Sequence, residues 1–491
     1  MRNNVTIVGS GLAALASAIR LNEAGFNVTI LEKNKQAGGR LNRLSENGFT
    51  FDIGPTFFSM SYEFERFAKE CNMKLPFNYH PVDPLYHVHL SEQNRPFVLY
   101  RDIPKLAAQF DGIEANFEAK MQKYLYNTGG LFHNSFDRVV GQNFSSMKHY
   151  ITQLAQVNPI YLPFLFHSFG SYVNKHFNSA EARQIISLPS YFLGATPFET
   201  NGVYSLLSYT EFVHDGYHNV TGGMYEIVNG LLQEIQRRGI SIHYNTEIKD
   251  INTKNRRVES VIDQNNKKYE ADYFLINMDA ALFRGRILQR KQFSEANLAK
   301  KKWSMGFLTI YAGLDCKIDQ LALHNYYIGI SNKDKTMKGF RENKLPENPY
   351  FYVNVNSRYN KQCAPEGCEC LMFVIPVPNL LYKSNWEDAP YIVDATLKEF
   401  ATRIDFPILQ HIKMLRWFTP TDWQQKYNLY MGAGLGMNHH FLQTGYLRPR
   451  NNDEFFSNLF YTGATTVPGI GLPMAIISSR LSTERIINAQ I

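Results

Sequence analysis

Cysteine is scarce in this 491-residue chain. The five present are too few and too unevenly spaced for a disulfide framework, so a reducing compartment is expected. Cys363, Cys368 and Cys370 cluster, yet no fourth ligand stands at zinc-like spacing, and no metal site is expected. His439-His440 offers none either, because adjacent side chains point in different directions on a helix or strand. No stretch reaches the ~18 consecutive apolar residues that span a bilayer. The apolar residues from Val5 onward read as a first strand rather than a secretory signal. Charged residues make up only 19% and aromatic residues 14%, which excludes the disordered class. Basic residues do not interleave with aromatic ones in a stripe, so a nucleic-acid partner is not expected. Internal repeats and low-complexity linkers are missing too. What remains is a folded chain long enough for two domains and a large core.

Two glycine-rich loops stand at opposite ends of that chain. At the start, the apolar strand Val5-Thr6-Ile7-Val8 runs into Gly9-Ser10-Gly11-Leu12-Ala13-Ala14 and a helical stretch to Leu21. Gly9 permits the tight turn, Gly11 lets a pyrophosphate approach the backbone, and Ala14 is the small residue that lets helix and strand pack closely. A second strand, Val28 to Leu31, ends at Glu32 and Lys33, with the Glu32 carboxylate placed to accept from a ribose. Near the end, the strand Leu459-Phe460-Tyr461 leads to Gly463-Ala464 and then Pro468-Gly469-Ile470-Gly471-Leu472-Pro473-Met474, before a helical run from Ala475 to Ile487. Backbone N–H groups at helix N-termini suit phosphates and a reducible ring alike.

The next motifs separate flavin from nicotinamide. Gly38-Gly39-Arg40 follows the acidic residue closely, and Arg40 can neutralise a pyrophosphate with a fixed fork of donors. Phe51-Asp52-Ile53-Gly54-Pro55-Thr56 then supplies a second backbone-exposing turn. This order resembles the carotenoid (phytoene) desaturase branch of the flavin amine oxidase superfamily. The similarity continues in Gly222-Gly223-Met224, in Glu247 to Ile251 (whose Ile248 resembles the family's adenine contact) and in Ala364 to Cys368 with Pro376-Val377-Pro378. Phe418-Thr419-Pro420-x-Asp422 and Arg448-Pro449-x-Asn451 complete the series.

The resemblance implies an α/β fold, with an FAD-binding Rossmann-like domain of glutathione-reductase type. Beside it stands a discontinuous α+β substrate domain with a helical, membrane-facing part. Residues 1–82, 221–285 and 428–491 are expected in the FAD domain, and 83–220 and 286–427 in the substrate domain. Helix is expected over Tyr225 to Gln236, and strands over Ser241 to Tyr244 and Tyr273 to Asn277.

The implied activity is introduction of a C=C bond into a carotenoid, with oxygen or a quinone as electron acceptor. Pro473-Met474-Ala475 and Ser479-Arg480-Leu481 depart from the Gly-x-Pro-Gly and Ser-Ala pattern usual in phytoene desaturases. They are more similar to the 1-hydroxycarotenoid 3,4-desaturases, so a 1-hydroxy or γ-carotene-type substrate is expected. Alternatives are phytoene desaturation, another superfamily activity (amine oxidase, carotenoid oxidase or isomerase) and a non-catalytic carotenoid-binding flavoprotein. Phe144 to Ile151 does not clearly show the pattern of an acidic and a basic residue proposed for proton handling in bacterial relatives, so no catalytic residue is assigned.

A net charge of +7 favours anionic surfaces. Pro159 to Phe166, with Phe169, Tyr172 and Val173, is too short and proline-broken to span a bilayer. It is either an interfacial segment or core of the substrate domain. Peripheral attachment to the cytoplasmic side of a membrane is the expected location.

Overall fold

The computed structural model describes residues 3–490, apart from 92, 94, 330–335 and 343–349. Its first framework is a five-stranded sheet. The strands are β1 (Asn4–Val8), β2 (Asn27–Leu31), β3 (Ser241–His243), β4 (Tyr273–Ile276) and β5 (Leu459–Tyr461), in the order β3-β2-β1-β4-β5. Every pairing is parallel, with Val5 opposite both Val28 and Tyr273 and Leu275 opposite Phe460. The strands are short runs of apolar residues because a parallel sheet is covered on both faces; Ile7, Leu275 and Leu459 are fully buried.

Three helices supply part of that cover: α1 (Leu12–Glu23), α2 (Glu226–Arg237) and α3 (Leu472–Asn488). α1 packs on both of the others, and its buried Ala13, Ala14, Ala16 and Ala18 permit the close approach. The expected helix from Ala475 starts three residues earlier. Pro473 fits in the first turn of α3, where a missing N–H leaves no bond unmade.

A second, seven-stranded sheet runs in the order Ile412–Phe418, Gly306–Leu314, Glu369–Val377, Phe351–Asn354, His324–Ile328, Tyr86–Leu90, Phe97–Leu99. It is antiparallel except where His324–Ile328 pairs with Tyr86–Leu90. Helix Ala389–Ile404 covers one face, its Phe400 meeting Phe373 edge to face at 5.0 Å. Strand alternation sends Met372 and Val374 to the opposite face, where they line a cavity.

The helical part lies between Ile103 and His214 and contains two π-helical turns, Phe136–Val140 and Thr210–His214. Within it, Pro159 to Val173 divides between its two readings. Phe164, Phe169, Tyr172 and Val173 are core, whereas Ile160 is 70% and Phe166 79% exposed. Among the described residues, no helix is long and apolar enough to cross a membrane.

Candidate active site

A cavity of about 600 Å³ lies between the two frameworks. Its nucleotide end is built by the C-terminal ends of the parallel strands, where ligands bind in open α/β sheets. After β1, Gly9 takes φ +97° and donates to the Leu31 carbonyl at 2.7 Å. Gly11 caps α1. Its N–H donates to Asn277 Oδ1 at 3.0 Å, and a Cβ at Gly11 would stand 2.6 Å from that oxygen.

Glu32, at the end of β2, is buried on the cavity wall. It accepts from Ser10 N at 2.8 Å, Ser10 Oγ at 2.6 Å and Asn34 N at 2.8 Å. Lys33 turns toward the C-terminal end of helix Pro420–Tyr427, its Nζ donating to the Gln425 carbonyl and to Asn428 Oδ1. Burial lowers its pKa.

The other predicted residues converge on the same space. Leu12, Ala13, Gly38, Gly39, Gly54, Pro55, Thr56 and Ile248 all line it. Arg40 donates to the Gly434 carbonyl at 3.1 Å; burial lowers its pKa and the facing Asp279 opposes this. Asp279 itself is raised by burial, although it accepts from Ala281 N and Leu282 N. Gly463, Ala464, Gly471, Leu472, Pro473 and Met474 close the cavity from the C-terminal side. Gly471 caps α3 with φ +123°. Ala14 is the exception among the predicted contacts. It is fully buried between helix and sheet and does not reach the cavity wall, because it sits one residue further round α1 than Ala13.

Several motifs are braces for this site. Arg448 is buried and donates to the carbonyls of Met437, Ala464 and Thr466 at 3.0, 2.7 and 3.1 Å. Burial pushes its pKa down to about 10. Asn451 Nδ2 donates to the Tyr461 and Val467 carbonyls. Thr419 and Asp422 form a capping box for helix Pro420–Tyr427, which sets Trp423 and Tyr427 on the wall. Asp52 accepts from Met224 N and Tyr225 N at the start of α2, while burial pushes its carboxyl up to about 6.

Sequence reasoning missed Asn277. It sits directly after the apolar strand β4, and its Nδ2 donates to the Thr462 carbonyl at 3.1 Å, so one side chain ties together both glycine-rich loops. The signal was a polar residue in a loop at a strand's C-terminal end. His439 was also missed; it lines the cavity, while its neighbour His440 does not. Cys363 and Cys370 lie in the core, with the Cys363 thiol pushed up to about 12 by burial.

Away from the sheet, the cavity wall is aromatic. Phe57, Tyr191, Phe192, Tyr217, Tyr326, Tyr350 and Tyr352 contribute to it. Its carboxylates are Glu32, Glu247 and Asp279, all beside the parallel sheet or the ribbon that starts at Ile248. Just behind the aromatic wall, Glu211 sits in a π-helical turn, 1% exposed. The Tyr86 hydroxyl stands beside its carboxyl and only partly offsets the burial. Burial pushes its pKa up to about 8.

The model of the flavin-containing amine oxidoreductases matches residues 10–487. The chain belongs to that family. FAD is its cofactor and it is an oxidoreductase. It is similar to the zeta-carotene-forming phytoene desaturase of Myxococcus xanthus, with 30% identity over 98% of this chain and 93% of that one. It is also similar to the 1-hydroxycarotenoid 3,4-desaturase of a Flavobacterium, with 27% identity over 98% of both chains. Among solved structures, putrescine oxidase bound to putrescine superposes with TM-score 0.64 at 14% identity, covering 99% of both chains. That last likeness speaks for the fold, since one fold hosts many chemistries.

Proposed function

We propose that this member of the family is a carotenoid desaturase acting at the 3,4 position of a 1-hydroxy or γ-carotene-type substrate. The observation that carries the reading is the division of the cavity. Phosphate- and ribose-binding groups gather at the sheet end, and an aromatic wall without carboxylates continues from it. A long hydrocarbon needs such a wall, whereas a cationic amine gains from a carboxylate partner.

The residues present fit FAD. The Gly9–Ala13 turn, the α1 N-terminus and Arg40 form a cradle that a side chain at Gly11 would obstruct. Glu32 and Ile248 are at hand for the ribose and adenine, and Gly471 to Met474 with the α3 N-terminus for the ring. In this reading residues 1–82, 221–285 and 428–491 form the cofactor domain, and the rest holds the substrate. Bound there, FAD supplies a two-electron acceptor for a hydride from a C–H bond of the substrate. The protein's own contribution is register. The aromatic wall seats the end group and excludes water, and the helix N-terminus favours negative charge beside it.

The similarity to the 3,4-desaturase and the Pro473-Met474-Ala475 sequence support the end-group step. Phytoene desaturation is the second reading, favoured by the higher identity to the Myxococcus enzyme. Ile160, Leu162 and Phe166 leave apolar side chains exposed, as do Tyr126 and Ile151 elsewhere in the helical part. This supports peripheral attachment to an anionic membrane, from which the substrate is taken and where oxygen or a quinone accepts the electrons.

The test is expression in colourless cells that make defined carotenes, followed by chromatography of the pigments. A hydroxylated acyclic or monocyclic carotenoid should lose two hydrogens and shift its absorption to the red. Cells supplied only with phytoene should stay colourless; red pigment from phytoene alone would put the second reading first.

A further inference from the structure

The proposed reaction removes two hydrogens from neighbouring carbons, yet only one leaves with its electron pair. The other leaves as a proton, and something on the cavity wall must take it. The carboxylates there gather at the sheet end. Glu32 accepts three hydrogen bonds, Glu247 pairs with Lys249, and Asp279 caps a helical turn through Oδ1 while its charge faces Arg40. The tyrosines are neutral phenols held above their ordinary range by burial, as Tyr217, Tyr326 and Tyr352 are. Glu211 lies behind the wall and does not line it.

His439 is the only imidazole among the described residues of that wall, and it is 5% exposed. It occupies space left by a glycine. Gly469 takes φ +134°, and a Cβ there would stand 2.4 Å from His439 Nε2. The turn that carries Gly469 is the one that leads into α3, where the flavin ring is placed by the reading above. The Tyr204 ring meets the imidazole edge to face, centroids 5.0 Å apart. Nδ1 has no hydrogen-bond partner among the described residues, so no hydrogen bond there ties the ring to a neighbour.

We propose that His439 is the proton acceptor of the desaturation, its Nε2 taking the proton from the carbon adjacent to the one that gives up hydride. The inference rests on the desaturase reading. The steps balance. One C–H bond breaks with both electrons going to the family's flavin. The second C–H bond gives its electron pair to the new C=C π bond, and its proton goes to Nε2. The substrate is oxidised by two electrons and loses two hydrogens, and the imidazolium later releases its proton to solvent.

The environment suits this role. Burial and the positive charge of Arg448 hold the imidazole well below its ordinary pKa. Arg448 and the neutral Tyr204 stand around it, and both burial and the Arg448 charge favour the uncharged, accepting form of the ring. A polyene cation is a strong acid, and a weak base is enough to deprotonate it. Adjacent positive charge then hastens loss of the proton from the ring after turnover.

The test compares wild type, His439→Ala and His439→Gln, each reconstituted with FAD and given the carotene that the wild type converts. Loss of a positioned base should lower kcat by about 10²–10⁴-fold. FAD content, KM and the band shift of bound carotene should stay within about three-fold. Added imidazole should restore part of the rate in His439→Ala and none in His439→Gln, where the space is filled. In ¹⁵N-histidine-labelled protein, the resonance missing from the variants should be that of a ring that stays neutral below the pH at which a free imidazole charges, and it should move when carotene is added. If the wild type converts carotene and the variants keep its kcat, or lose FAD and carotene binding together, the role of His439 is wrong and the desaturase reading stands. A wild type inert toward every carotene supplied overturns both.

Discussion

Glu211→Gln isolates the cost of burying a carboxyl among tyrosines. In the unfolded chain the group ionises near its ordinary 4.5; in the fold, burial raises this to about 8. Below the lower value both states are protonated and the group contributes no pH dependence. Between the two values the unfolded chain sheds a proton that the fold retains, so stability falls as pH rises, by about 1.4 kcal/mol per pH unit. Above the upper value the loss levels off. A glutamine has nearly the same shape and no titration, so its own desolvation cost is the same at every pH.

The stability of the variant minus that of the wild type should therefore grow by roughly 3 kcal/mol between pH 5.5 and pH 7.5. For the whole chain unfolding together, an entropy of ~2 cal/mol/K per residue converts this to a difference in Tm growing by about 3 °C. The assay is differential scanning fluorimetry of both proteins over that pH range. A gap in Tm that stays constant with pH would refute the argument, whatever its size.

Gly11→Val should abolish FAD retention, because its Cβ meets Asn277 Oδ1 at 2.6 Å; a purified variant still yellow and fully loaded would move the pyrophosphate elsewhere. Asn277→Ala leaves the Gly11 N–H and the Thr462 carbonyl without their partner, and should cost about 1–3 kcal/mol, seen in thermal unfolding together with weaker FAD binding. On anionic liposomes at low salt the protein should float, and replacing Ile160 and Phe166 with serine should reduce recovery. Equal flotation of that folded double variant would remove the segment from the membrane contact.

The parallel sheet and its loops were legible because their physics is local. An apolar strand followed by glycines and a helix can do few things. β1 with Gly9–Ala13, β2 with Glu32 and β5 with Gly463 fall within a residue or so of their expected places, and every predicted contact except Ala14 reaches one cavity. Ala14 packs α1 against the sheet, as its small side chain implied, and stays off the cavity wall because it sits one residue further round the helix than Ala13.

Tertiary structure alone decided the rest. Asn277 acts across a long sequence separation, Arg448 and Asn451 bond to carbonyls in other loops, and no local spacing says which carbonyl a side chain will meet. His439 beside His440 reads as a weak metal motif until Gly469, thirty residues on, leaves the space its ring fills. Glu211 looks like an ordinary charged residue in sequence, because its perturbed pKa comes from the walls that other segments fold around it. Pro159 to Val173 could not be resolved as core or surface, since a short apolar run gives composition but not which of its faces meets the helices beside it. The chain specified a flavin cradle through its backbone; where its substrate lies was specified only by side chains that folding brings together.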